Sequence, residues 1–214
     1  MKPGLSSQER EILNYIYWLF IIIVPIVAFF VLLSLNLPLL LMNIIRDQSV
    51  FAFFIILGLY LLCFRLKGKA RWFFCLLLTV ILFAVPLAYM WNTGYSDTRV
   101  IGSFIPYKDS YYFYNGARTL LMGQSISAGW NDILRPLFPG MLAGLLFFTS
   151  NNLLLTISLF VLAMGICCLL AALQVEEIFG KWPAALFMAL MVLYFRSFIG
   201  YTMSEPPSII QGIV

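Results

Sequence analysis

Long apolar runs with almost no charge constrain this chain more than any other feature. Tyr15–Leu35 contains no Asp, Glu, Lys or Arg at all. A helix crossing the hydrocarbon core of a bilayer needs about 20 such residues. Ser49–Phe64, Trp72–Trp91, Leu153–Leu173 and Trp182–Met203 repeat the pattern, the second a little short and the last interrupted by Arg196. Pro25 inside the first run predicts a kink, which neighbouring helices make tolerable in a membrane. Only 10% of residues are charged, 63% are hydrophobic and the mean hydropathy is +0.98. A soluble domain carries about 25% charged residues, so lipid has to cover part of this surface. The expected architecture is an all-α, polytopic transmembrane protein of about five spans.

A sixth apolar segment, Leu137–Phe148, is too short to cross and suits a juxtamembrane helix, with Pro136 at its start. Arg65, Lys67, Lys69 and Arg71 crowd into the turn between the second and third runs. The positive-inside rule then places that turn in the cytoplasm, and with it the N-terminus and its Lys2 and Arg10. The third span delivers the long polar stretch 92–135 to the extracytoplasmic face, the Leu137–Phe148 helix lies on that same side, and Ser204 and Glu205 emerge there too. The turn 174–181, with Glu176, Glu177 and Lys181, does not decide orientation by charge. Two regions are expected: residues 1–71, a membrane hairpin, and residues 72–214, a membrane region carrying the loop. The first run exceeds the roughly 7–15 residues of a signal-peptide core and no small-residue cleavage site follows it, so it reads as an uncleaved span of a plasma (inner) membrane protein. A new apolar stretch opens at Ile209–Val214 as the sequence stops, which reads as a fragment, such as the N-terminal portion of a longer protein, or as a truncated reading frame.

Histidine is absent, which removes imidazole bases, His metal ligands and Ser-His triads. Cys63, Cys75, Cys167 and Cys168 all lie in apolar runs, where cysteine behaves as a small hydrophobe. Basic residues form no long stripe, so nucleic acid is not an expected partner. Asp109 and Asp97 alone do not define a metal site, and no cofactor is implied.

Chemistry concentrates in the polar stretch. Phe113, Ala117, Leu120 and Leu121 fall on one face at helical spacing, Asp109 stands at the N-cap position and Gly123 makes a stop. The string Asp109-Ser110-Tyr111-Tyr112-Phe113-Tyr114-Asn115-Gly116-Ala117, continuing to Gly123, resembles the first outer loop of the GT-C superfamily, multi-span glycosyltransferases that use polyprenyl-phosphate sugars. The protein O-mannosyltransferase and aminoarabinose-transferase branches show the same order of acid, tyrosine, alanine and glycine. Arg135-Pro136-Leu137-Phe138-Pro139, running on to Leu146, is similar to the proline-rich stretch that follows in that family. Phe179-Gly180-Lys181 resembles its cytoplasmic turn, and Arg196 through Ser204-Glu205 resembles its outward span end. The resemblance covers about residues 72–210, and two further spans precede it.

The resemblance implies a membrane enzyme that moves a sugar from a polyprenyl-phosphate donor to an acceptor at the outer face. Asp109 is then the candidate carboxylate with Asp97 as its rival. Arg118, Arg135 and Lys108 are candidate phosphate contacts, and Glu205 could approach the same place. Arg196, about two helical turns inside the last span, is costly there unless paired or functional, with Glu205 as a possible partner. Plainer readings stand beside these. Asp109 also suits a helix cap, Asp97 a solvated turn, and Arg118 a snorkelling cation. Tyr111, Tyr112 and Tyr114 suit interface anchors. A non-catalytic membrane protein is the alternative: a transporter fragment, an assembly partner in a glycan pathway, or an inactive remnant.

Overall fold

The computed structural model describes residues 7–36, 38, 49–124 and 137–202. Among them are seven helices and one two-residue strand pair: α1 Ser7–Ser34, α2 Ser49–Arg65, α3 Gly68–Thr93, β1 Val100–Ile101, β2 Ile105–Pro106, α4 Asp109–Leu121, α5 Leu137–Phe148, α6 Leu153–Phe179 and α7 Lys181–Phe195. The fold is all-α apart from the strand pair, as the apolar runs predict.

Four helices close a ring. α2 packs on α3, α3 on α6, α6 on α7, and α7 back on α2, while α1 leans on α3 from outside. Ring neighbours run antiparallel. The interior is apolar and closely fitted, with Phe64, Phe83, Leu87, Met164, Met188 and Phe195 almost fully buried. Small residues set the approach distances. A Cβ at Gly165 of α6 would stand 3.2 Å from the Phe83 ring of α3, and Ala184, Ala185 and Ala189 lie on the buried face of α7. In lipid, close packing of this kind takes over from the hydrophobic drive between helices. One polar cluster inside is paired: the hydroxyls of Tyr60 and Thr79 lie 2.8 Å apart, and Thr79 also donates to the Cys75 carbonyl.

Three helices have the length and composition to cross a membrane: α1 over Glu11–Ser34, α3 over Gly68–Thr93 and α6 over Leu153–Phe179. The two remaining expected spans are shorter. α2 has 17 residues and α7 has 15, about 25 and 22 Å at 1.5 Å per residue against a hydrocarbon core of about 30 Å. The apolar run Trp182–Met203 is therefore not one helix. α7 stops at Phe195, and the chain turns through Phe198 and Ile199, whose amides both return to the Phe195 carbonyl. Ser197 donates to the Tyr194 carbonyl, and Gly200 takes a φ of 95°, a conformation that favours glycine. Arg196 consequently sits at the C-cap of α7, not two turns within a span, and a cation there complements the helix dipole.

The ring has two polar ends. At one, Arg71 of α3 and Glu176 of α6 form an ion pair at 2.9 and 3.1 Å. Lys69 donates to Asn14 at the start of α1 and lies 5.1 Å from the Tyr17 ring. The other end holds the polar loop, joined to the end of α1 by an Asn92 hydrogen bond to the Leu35 carbonyl.

Candidate functional site

The loop end is built by four chain segments meeting over the ring. α3 terminates at Gly94, whose left-handed backbone (φ 62°, ψ 33°) turns the chain across the bundle. Asp97 then organises the next residues. Its Oδ1 accepts the amides of Arg99 at 2.7 Å and Val100 at 3.1 Å, an Asx-type turn. β1 and β2 pair antiparallel, Val100 opposite Pro106 and Ile101 opposite Ile105. The turn between them is tied down: Ser103 sends its amide to the Tyr95 carbonyl and its hydroxyl to the Met90 carbonyl, and Ser96 Oγ accepts the Gly102 amide. Trp91 and Phe104 meet at 6.4 Å beside it.

The chain after α7 closes the assembly. Tyr201 donates its phenol to Asp97 Oδ2 at 2.5 Å, and Thr202 donates to the Ser110 carbonyl at the start of α4 at 2.8 Å. The Arg99 guanidinium is 5.5 Å from the ring centres of both Phe198 and Tyr201, within cation–π range. Burial pushes the Asp97 carboxyl up. The Tyr201 phenol, the Arg99 and Val100 amides and the Arg99 charge outweigh it and hold the group below the usual carboxylate range. Asp97 is thus an ionised carboxylate with both oxygens committed. Ser110 is buried, and its hydroxyl has no hydrogen-bond partner among the described residues. It lines, with Arg99, Tyr201 and Thr202, a cavity of about 10 Å³, on the order of one water molecule.

Asp109 is different. It is the first residue of α4, preceded by Lys108 as N-cap with φ 48°, and no side-chain cap bond forms. Its carboxylate is exposed and enters no hydrogen bond or ion pair with the described residues, although the positive end of the helix dipole favours its charge. Lys108 is exposed beside it, its ammonium 5.8 Å from the Tyr107 ring. Arg118 is exposed in the last turn of α4, 5.9 Å from the Tyr114 ring. Nine residues of helix set Arg118 about 13 Å along the axis from Asp109 and half a turn round it, so α4 does not itself bring the two together. Arg196 lies half-buried where α7 ends, on this same end of the ring. Arg135 and Glu205 fall outside the described residues. α5 packs on α4 through Ala117, Leu142, Ala143 and Leu146, which fixes the buried face of α4 and leaves Asp109 and Arg118 outside it.

Among the described residues no group of three or more His, Cys, Asp or Glu side chains stands together as a metal site. Sequence reasoning singled out neither Arg99 nor Tyr201. Val100-Ile101 and Ile105-Pro106 flanking Gly102-Ser103 carry a hairpin signal that would have marked Arg99; nothing local marks Tyr201.

Comparison with protein-family models, curated proteins and solved structures finds no match to the chain.

Proposed function

We propose that the chain is a GT-C-like membrane glycosyltransferase that works at the loop end of the ring, on the extracytoplasmic side, with a polyprenyl-phosphate-linked sugar as donor. The observation that carries this reading is the contrast between its two carboxylates. Asp97 is spent on the hairpin, whereas Asp109 is open, adjacent to a cation and at the helix end that favours negative charge. Asp109 takes the acceptor hydroxyl's proton as that oxygen bonds to the anomeric carbon. The bond from that carbon to the phosphate oxygen breaks, and its electron pair leaves on the phosphate. Lys108, Arg118, Arg135 and Arg196 are the cations proposed to meet that charge, with Glu205 near them, and Arg99 joins them as a guanidinium 5.5 Å from each of two ring centres. Asp97 is a positioning residue in this scheme, because it holds Tyr201 and the Arg99 backbone.

Transfer of labelled sugar from a polyprenyl phosphate, measured on reconstituted protein, tests the assignment. Asp109→Asn is expected to lower turnover by about 10²-fold or more with helix content unchanged; wild-type turnover would remove Asp109 from the chemistry. Orientation is tested with Ile105→Cys, since Ile105 is well exposed on β2. A membrane-impermeant thiol reagent should reach it from outside the cell, and labelling only from the cytoplasmic side would invert the proposed topology. The second reading, a non-catalytic membrane protein, draws its support from Asp97, whose two oxygens are taken up by backbone amides and the Tyr201 phenol.

A further inference from the structure

On the outer surface of the ring, α2 and the start of α7 frame a groove of about 470 Å³ between Phe54, Gly58, Leu62 and Trp182, with Arg65 at its end. That volume falls within the range of small-molecule sites, roughly 300–1,000 Å³. Gly58 opens it. A Cβ built there meets no atom within 4 Å, so the notch is not used by packing inside the protein. Phe54 and Leu62 are 64% and 60% exposed on its walls.

The charge at the end of the groove is uncommitted. Lys69 is engaged by Asn14 and Arg71 by Glu176. Arg65, by contrast, is exposed and makes no hydrogen bond or ion pair with the described residues. Exposed Lys67 stands two residues away and adds to the positive potential. We propose that this groove seats one acyl chain of an anionic phospholipid, with the lipid phosphate on Arg65 and the Trp182 ring at headgroup level. An apolar trough ending in a cation and an indole has the polarity profile of a lipid entering from the interface. A guanidinium meets a phosphate through two parallel N–H donors. A partner helix fits less well: helix interfaces in membranes are rich in small residues, and here a single glycine sits among Phe54, Ile55, Leu59 and Leu62. The proposal is independent of the glycosyl-transfer reading and concerns the opposite end of the ring.

The test is native mass spectrometry of the full chain released from nanodiscs holding phosphatidylglycerol and phosphatidylcholine with identical acyl chains in equal amounts. Wild type is expected to retain one phosphatidylglycerol with about tenfold preference, and Arg65→Gln to remove that preference. Gly58→Phe fills the notch and is expected to release both lipids while helix content stays at the wild-type level. Should Gly58→Phe disturb the helices, Gly58→Ala serves instead, with a partial loss of retention. Unchanged preference in Arg65→Gln overturns the proposal, as does wild-type retention in the folded position-58 variant. Gly58→Cys forming a disulfide-linked pair of chains in place of retaining lipid overturns it in favour of a second copy.

Discussion

The two ends of the ring are both polar, yet they are held by different forces. At the basic end one ion pair spans α3 and α6, with Glu176 only 9% exposed and Arg71 31%. At the loop end no ion pair links the described segments. Backbone hydrogen bonds, the Asx-type turn of Asp97 and the two side chains Tyr201 and Thr202 hold the hairpin and α4 in place. The first arrangement depends on charge in a half-buried setting, the second on many small directed contacts. The contrast also separates structural charges from available ones. Arg71, Glu176 and Asp97 are used up in the fold, whereas Arg65 and Lys67 at one end and Asp109 and Lys108 at the other face outward.

The basic end should be the more fragile to a single change. Arg71→Met leaves the Glu176 carboxylate with little solvent and no partner, and is expected to cost about 2–3 kcal/mol, less than a fully buried pair because Arg71 is partly solvated. Unfolding in a denaturing detergent series measures it; a neutral result would mean packing, not the ion pair, joins α3 to α6.

At the loop end, Tyr201→Phe removes one hydrogen bond to a charged group and is expected to cost about 1.5–2 kcal/mol. Its pH dependence sharpens the contrast. Because the Asp97 carboxyl is depressed in the folded protein, its contribution is complete above about pH 4 and is lost as pH falls through the folded value. Tyr201→Phe brings the carboxyl back toward its ordinary range, so the acid-linked loss should shrink. Hydrogen exchange of the 95–107 segment between pH 5 and pH 3 reads this. Equal acid sensitivity in both proteins would show that Tyr201 does not tune Asp97.

The smallest effect belongs to Asp109. Without a hydrogen-bond partner in the described protein, Asp109→Asn should change stability only by the helix-dipole interaction, about 0.3–1 kcal/mol. A loss of 2 kcal/mol or more would expose a structural role and blunt the reading of any activity lost.

Much of this was legible from periodicity and length. Phe113, Ala117 and Leu120 predict α4, and the apolar segment Leu137–Phe148 coincides with α5. The runs from Tyr15, Ser49, Trp72 and Leu153 are each helical essentially throughout, and the helices extend beyond them. The end of α7 was not legible because hydropathy does not distinguish helix from turn: Phe198, Ile199 and Tyr201 are as apolar as the helix before them. Gly200 and Ser197 were the local hints of a break. Asp109 was expected as the cap and proved to be the first helical residue, with Lys108 before it. The assembly around Asp97 was hidden for a different reason. Its partner Tyr201 lies 104 residues away in the chain, and no local pattern encodes a contact at that separation.

The closed ring carries a consequence for biosynthesis. α2 ends at Arg65 but packs on α7, which begins at Lys181, so the 115 residues from 66 to 180 must be made before the partner of α2 begins. At roughly 5–20 residues per second the α2–α3 hairpin waits on the order of ten seconds. During that interval the α7-facing flank of α2 needs a temporary companion, and the arrival of α7 closes the ring on the α2–α3 hairpin.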